Sequence, residues 1–216
     1  EPDGGARARQ KLSRKSRGAG SARLSVDKVR KICLDHPLIH HVNNISDDCS
    51  LVQAPNGASI YRVDRGGEVT FHGPGQLVAY PLLDLRKPPL KQDLHWYLRC
   101  IEDVIIDTLR AYDIRGVRDE INTGVWVGKE KIAAVGVSSS RWITTHGLAL
   151  NVDPDLSFFD TSVVIPCGIK GRGVTSIAKL LRERGENVLC IPTMKEVAIK
   201  VVQNFEHAFG VTTVKG

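Results

Sequence analysis

Cys167 stands between Pro166 and Gly168 in the stretch Ile165-Pro-Cys-Gly168, which reads as a rigid, exposed turn rather than the inside of a strand. A thiol held in this way becomes a nucleophile once a nearby cation or a helix N-terminus favours its thiolate. Lys131 is the cation to pair with it, and Val174-Thr-Ser176 heads a short helical stretch just downstream. Taken alone, a Pro-Cys-Gly turn is more often structural. The other cysteines, Cys33, Cys49, Cys100 and Cys190, read as structural, with Cys100 buried among Leu98, Ile101 and Val104. Five cysteines with no pair at two- to four-residue spacing point away from a zinc site, a redox dithiol or a disulfide framework.

Two further stretches could surround such a thiol. Arg65-Gly-Gly-Glu-Val-Thr-Phe-His-Gly-Pro-Gly-Gln76 holds glycines at 66, 67, 73 and 75, so its backbone can take positive φ or let a ligand approach closely. It lacks the Gly-Lys-Ser/Thr ending of a P-loop and the Gly-x-Gly-x-x-Gly of a dinucleotide site, and on its own it could be only a turn. Lys131-Ile-Ala-Ala-Val-Gly136 and His146-Gly-Leu-Ala-Leu-Asn151 place small residues on what read as adjacent strands. Small side chains there either leave a narrow apolar trough, as a long acyl chain requires, or merely let strands pack closely.

The elements that position these groups follow from periodicity. A helix is predicted from near Asp93, with Leu94, Tyr97, Leu98, Ile101, Ile105, Leu109 and Tyr112 at steps of three and four. A second begins at a Thr193/Glu196 capping box and ends at Gly210, with Met194, Val197, Ala198, Val201, Val202, Phe205 and Phe209 as its stripe. Strands are predicted over residues 59–63, 77–83, 124–127, 132–137 and 148–152, with a tight hairpin at 127–132 that brings Lys131 to the mouth of its second strand. Strands in succession followed by helices imply a mixed or antiparallel sheet covered by helices.

The chain has 216 residues, 42% of them hydrophobic and 25% charged, which suits one soluble globular domain. There is no apolar run of about 18 residues that could span a membrane. The net charge of +6 is concentrated at the start: residues 1–24 carry seven basic residues against Glu1 and Asp3, leaving about +1 for residues 25–216. Rich in Gly, Ala, Ser and Arg and without apolar periodicity, residues 1–24 read as a disordered basic leader. Its composition is that of an organelle transit peptide; a plain solvated leader or a truncated start is the alternative. No aromatic residues interleave with its cations, so nucleic acid is not the expected partner.

Together these blocks carry a resemblance. Arg65-Gly-Gly-Glu-Val-Thr-Phe-His-Gly-Pro-Gly-Gln-Leu-Val-Ala-Tyr-Pro81 closely resembles the signature of the octanoyltransferase family of lipoate biosynthesis, the lipoyl(octanoyl) transferases. Gly124-Val-Trp-Val-Gly128, Lys131–Gly136, Thr145–Asn151 and Ile165–Gly168 with Thr175-Ser176 match that family in order and spacing. The likeness covers roughly residues 58–210, and Asp93-Leu-His-Trp-Tyr-Leu-Arg99 resembles the plant, plastid-type branch. Upstream, Leu34-Asp-His-Pro37 fits but Leu38–Asn44 departs from the family pattern.

The resemblance implies an α/β (α+β) fold, a mixed β-sheet flanked by helices. Such folds are similar to the biotin and lipoate protein ligases and to the class II aminoacyl-tRNA synthetase/biotin synthetase group. It implies that residues 25–216 form the catalytic domain, with Cys167 as acyl-thioester nucleophile and Lys131 lowering its pKa. Arg65, Gly66, Gly67, Glu68, Val69, Thr70, Phe71 and His72 would line the acyl-substrate pocket, together with Ala134, Val135, Gly136, Gly147, Leu148 and Ala149. His146 is an accessory candidate for positioning or proton transfer, as is His72. The implied donor is octanoyl-acyl carrier protein. The acceptors are the lipoyl domains of 2-oxoacid dehydrogenase complexes and the glycine-cleavage H-protein. No metal or nucleotide cofactor is called for, because a thioester donor is already activated, and neither nucleic acid nor membrane is an expected partner. Plastid is the implied location, with mitochondrion the alternative. Two rivals stay open: an ATP-dependent lipoate or biotin protein ligase, and a non-catalytic acyl-binding relative.

Overall fold

In the computed structural model, residues 52–53, 58–60, 70–159 and 172–213 are described, all within the unit Ser46–Gly216. The leader at residues 1–24, Cys33, Cys49, Arg65–Val69 and Cys167 lie outside them. Five strands form one antiparallel sheet: β3 (Gln76–Ala79), β4 (Val117–Arg118), β5 (Val125–Val127), β6 (Glu130–Ser140) and β7 (Ile143–Asn151), in the order β3-β7-β6-β5-β4. A separate antiparallel pair joins β1 (Val52–Gln53) to β2 (Ser59–Ile60). The parallel component expected of a mixed sheet comes down, among the described residues, to a single bridge between Lys131 and Val174.

One face of the sheet is apolar and takes the helices. Helix α1 (Leu94–Arg110) starts where Asp93 accepts from the backbone N–H of His95 and Trp96, which satisfies two of the donors a helix start leaves open. Its Tyr97, Ile101, Val104, Ile105 and Leu109 are fully buried, each worth about 1.5–3 kcal/mol of apolar burial. Helix α3 (Met194–Phe209) begins with the capping box Thr193/Glu196 and ends at Gly210, whose φ of 64° is the left-handed close of a helix. It packs on α1 through Phe209 against Trp96 and Tyr97, and Asn204 donates to the Thr108 hydroxyl at 3.0 Å. Its buried stripe is narrower than predicted, because Val202 faces outward. Between the two lies α2 (Ile177–Glu183), capped by Ser176.

Several strand limits differ from the expected ones for identifiable reasons. The stretch 77–83 is strand only as far as Ala79, since Pro81 cannot donate to the ladder. Thr144 N–H still reaches the Leu83 carbonyl at 2.9 Å. β6 and β7 extend well past 137 and before 148, joined by a two-residue turn in which Arg141 and Trp142 have φ of 51° and 67°. Such a turn favours Asn-Gly, so Arg-Trp does not announce it.

Candidate functional site

The pleat decides which residues can meet. In the β6–β7 pair, Ala133 faces Leu150 and Val135 faces Leu148, and these side chains join the core or pack against it. The intervening pairs, Ala134 with Ala149 and Gly136 with Gly147, therefore lie on the opposite face. Four of the six predicted lining residues on these strands thus share one face, and none of the four carries a side chain larger than a methyl group. Val135 and Leu148 do not join them: alternation along the strand turns both toward the core, where Leu148 is buried. At Gly147 the absence of a side chain is taken up by the adjoining strand, since a Cβ would fall 2.4 Å from the Ala79 carbonyl oxygen.

Lys131 reaches the same face through a break in the pattern. The β5–β6 hairpin turns at Gly128 (φ 58°) and Lys129, pairing Val127 with Glu130 and Trp126 with Lys131. The next pair is Val125 with Ala133, so Ile132 is the extra residue of a β-bulge. Ile132 and Ala133, though consecutive, both enter the core, which a regular strand forbids. The bulge lets the core take both and leaves Lys131 beside Trp126 on the other side.

There the lysine is 7% exposed. Its Nζ donates to the Thr123 carbonyl at 3.0 Å and lies 5.0 Å from the centre of the Trp126 ring. The same ring meets the Arg172 guanidinium at 4.8 Å, and the buried indole N–H of Trp126 finds no acceptor among the described residues. Arg172 pairs with Asp119, and that guanidinium holds the Asp119 carboxyl well below the ordinary carboxylate range. Asp119 also accepts from the backbone N–H of Ile121 and Asn122, shaping the 119–124 loop that presents Thr123. The Thr123 carbonyl and the Trp126 ring face are the partners that a buried lysine head group needs in place of water.

Cys167 lies outside the described residues, but the chain that follows it docks on Lys131 itself. Lys131 N–H donates to the Gly173 carbonyl at 2.9 Å, and Thr175 N–H donates to the Lys131 carbonyl at 3.0 Å. Gly173 is six positions after Cys167. Thr175 is fully buried, its hydroxyl has no partner among the described residues, and its carbonyl accepts from Asn151 Nδ2 at 2.9 Å. Asn151 Oδ1 accepts from Gln76 Nε2 at 2.9 Å, and Gln76 Oε1 accepts from His72 Nδ1 at 2.8 Å. A line of hydrogen bonds thus joins the end of the glycine-rich stretch to the segment on Lys131.

Of the other predicted residues, Phe71 stacks on Phe158 at 4.7 Å and meets Phe159 edge-on at 5.3 Å. Thr70 is half-buried beside it in the chain, and His72 is exposed. His146 has a φ of 61° within β7, a left-handed backbone state that histidine adopts more readily than most residues, and its ring contacts Tyr80 at 5.2 Å. Cys100 is buried as expected, and burial pushes its thiol pKa up. Cys190 instead is exposed, in a short turn at Val188–Cys190. Trp126, Thr123, Asp119 and Arg172 were not singled out from the sequence. Only the glycine before Val125 and the bulky Trp126 among small residues hinted at them.

Comparison with known proteins fits this arrangement. Residues 42–206 match the lipoyl protein ligase A/B catalytic domain family, reaching further upstream than the motifs at 58–210. An octanoyltransferase of Nostoc sp. is 45% identical over 185 residues, covering 85% of this chain and 78% of that protein. A chloroplastic octanoyltransferase of Arabidopsis thaliana is 48% identical over 159 residues, 72% of this chain and 55% of that one. Among solved structures, lipoate-protein ligase A bound with ATP has a TM-score of 0.57 at 17% identity, over 74% of this chain and 63% of that one, which speaks to the fold. Among the described residues no helix is long and apolar enough to cross a membrane. With the motifs, the sheet and these relatives in agreement, the chain belongs to the octanoyltransferase family within the lipoyl protein ligase A/B catalytic domain, acyltransferases of lipoate biosynthesis.

Proposed function

We propose that Cys167 carries the octanoyl group as a thioester and that Lys131 is the cation that keeps it a thiolate. The observation behind this is the placement of Lys131: buried, held by the Thr123 carbonyl, and bonded through its backbone to the segment just after Cys167. The thiolate adds to the carbonyl carbon of the donor thioester, and collapse of the adduct expels the carrier's thiolate. Lys131 gives that thiolate its proton. The acceptor lysine, neutral, then attacks the enzyme thioester; an amide C–N bond forms, the C–S bond breaks, and Lys131 takes up the amine proton. Both states of Cys167 before amide formation are thioester or thiolate, so little driving force is lost between donor and acceptor.

The octanoyl chain lies along the track at Ala134, Gly136 and Ala149, with Gly147 closing one end. Arg65, Gly66, Gly67, Glu68, Val69, Thr70, Phe71 and His72 complete the proposed set of acyl-substrate residues. Octanoyl-acyl carrier protein is the donor; lipoyl domains of 2-oxoacid dehydrogenase complexes and the glycine-cleavage H-protein are the acceptors. A structure described as an archaeal lipoate protein ligase and its E2 lipoyl domain, from Thermoplasma acidophilum, has a TM-score of 0.51 and 22% identity, which supports a fold suited to such acceptors. Residues 1–24 are a transit peptide and residues 25–216 the catalytic domain; the chloroplastic Arabidopsis relative supports a plastid destination. The test is intact mass after incubation with octanoyl carrier protein. One octanoyl adduct is expected, mapping to Cys167 and absent from Cys167→Ser; an adduct at Cys190 or Cys33 would overturn the proposal.

A further inference from the structure

Glu102 is out of place on α1. Its side chain is 4% exposed on the face that carries Ile101, Val104 and Ile105, where a carboxylate is tolerated only if hydrogen-bonded and paired. Its two oxygens are used differently. Oε2 accepts from Arg118 Nε at 3.1 Å and from Arg99 Nη1 at 3.3 Å, which meets the need for charge partners. Oε1 reaches away from the helix to the backbone N–H of Gly124 at 3.0 Å.

That N–H and the carbonyl of Thr123 belong to the same peptide group. A trans peptide is planar, with its N–H and C=O pointing in opposite directions, so fixing one fixes the other. The carbonyl end accepts from Lys131 Nζ at 3.0 Å. Carboxylate, peptide and ammonium therefore form one line, in which a negative charge at the N–H end and a positive charge at the C=O end polarise the peptide in the same sense. The glycine belongs to the device as well. Its φ is 124°, and a Cβ would lie 3.2 Å from Lys131 Cε and 2.5 Å from the Ala133 carbonyl oxygen, so any larger residue would crowd the lysine it helps to place.

We propose that Glu102 is a positioning residue for Lys131, acting through the Thr123–Gly124 peptide, an inference that rests on Lys131 being the cation of Cys167. Glu102→Ala frees the peptide to rotate and lets the ammonium drift. A misplacement on the scale of an ångström lowers kcat roughly ten- to a hundredfold, with KM for the octanoyl donor little changed. Glu102→Gln keeps an acceptor of the same shape for Gly124 N–H and recovers most of the loss. The experiment measures kcat, KM and the pH profile of iodoacetamide alkylation at Cys167 in wild type, Glu102→Ala, Glu102→Gln and Lys131→Met, with melting temperature reporting folding. The expected result is an alkylation profile displaced in Glu102→Ala in the same direction as in Lys131→Met, and back toward wild type in Glu102→Gln. Should Glu102→Ala fail to fold, Glu102→Gln decides by itself, since it retains the hydrogen bond but not the charge and should show a smaller displacement of the same sign. A displaced profile in Lys131→Met with wild-type kcat and profile in a folded Glu102→Ala, or in Glu102→Gln where the alanine variant does not fold, overturns the positioning role alone. An undisplaced profile in Lys131→Met removes the reading of Lys131, and the role of Glu102 falls with it.

Discussion

Replacing Gly124 by alanine tests the site at its tightest point. Two separate costs apply. At a φ of 124° an L residue is strained by about 1–3 kcal/mol. Its Cβ would also sit 2.5 Å from the Ala133 carbonyl oxygen, against backbone that cannot step aside, and overpacking of this kind costs about 1–3 kcal/mol. For a domain of this size each kcal/mol lowers Tm by about 2–4 °C, so Gly124→Ala should melt roughly 5–15 °C below wild type. Gly128→Ala is the control. Its φ of 58° is the left-handed region, but among the described residues nothing beyond its chain neighbours lies within 4 Å of a Cβ there, so only the conformational cost of about 1 kcal/mol remains. Thermal melts of the two variants, with octanoyl transfer expressed per folded molecule, separate the effects. Gly124→Ala should also transfer more slowly than Gly128→Ala, because Lys131 Cε and Nζ would be 3.2 and 3.4 Å from the new carbon. Equal melting temperatures and equal turnover in the two variants would refute the claim that Lys131 is packed against this glycine.

Other perturbations have outcomes that follow from single contacts. Lys131→Met should slow alkylation of Cys167 roughly ten- to a hundredfold at pH 7, with the deficit shrinking toward pH 9 as hydroxide ionises the thiol unaided; an unchanged profile would sink the thiol–ammonium pairing. Asp119 has a folded-state pKa depressed by Arg172, so its contribution is complete above the unfolded carboxylate value and is lost as pH falls below about 4. Chemical denaturation should accordingly find Asp119→Asn less stable than wild type at pH 6, with the gap closing as the solution is acidified. Thr193→Ala removes the side-chain half of the capping box on α3, leaving the residue 193 backbone N–H to Glu196, and should cost about 1 kcal/mol without altering turnover, as read by a thermal melt and an activity assay.

Much of this was legible because local rules and tertiary demands agree. The two long helices declared themselves through Asp93, through Thr193 with Glu196, and through their apolar stripes, and the 127–132 hairpin was visible in Gly128 and its β-branched flanks. The strand residues of the expected lining set divide between the two faces of the sheet. Reading Ala134–Gly136 and Gly147–Ala149 as continuous walls ignored the pleat, which sends Val135 and Leu148 to the core and keeps their neighbours on the other face. Glu102 was invisible because a glutamate on an amphipathic helix ordinarily faces water. Its burial is decided by Gly124 and Arg118, 22 and 16 residues away in sequence. The long β6–β7 hairpin is hard to read because Ser138-Ser-Ser-Arg-Trp142 shows no alternation and its two turn positions hold Arg-Trp rather than Asn-Gly; pairing along the length of β7 supplies the stability its composition does not.

The extra residue in β6 has a consequence for how freely this part of the chain could change length. A strand normally keeps a single phase, so losing one residue exchanges its inward and outward sets from that point on. Here the phase already slips at Ile132, between one half fixed by the turn at Gly128 and another fixed by Leu148 and Leu150. Deleting Ile132 would restore a regular alternation in which Lys131 still faces Trp126 and Ala133 still faces Val125, at the loss of one buried side chain. Deleting Ala134 instead would invert every position from Val135 to the hairpin tip. The same one-residue deletion is thus a modest packing defect at one position and a scrambling of the sheet two residues later.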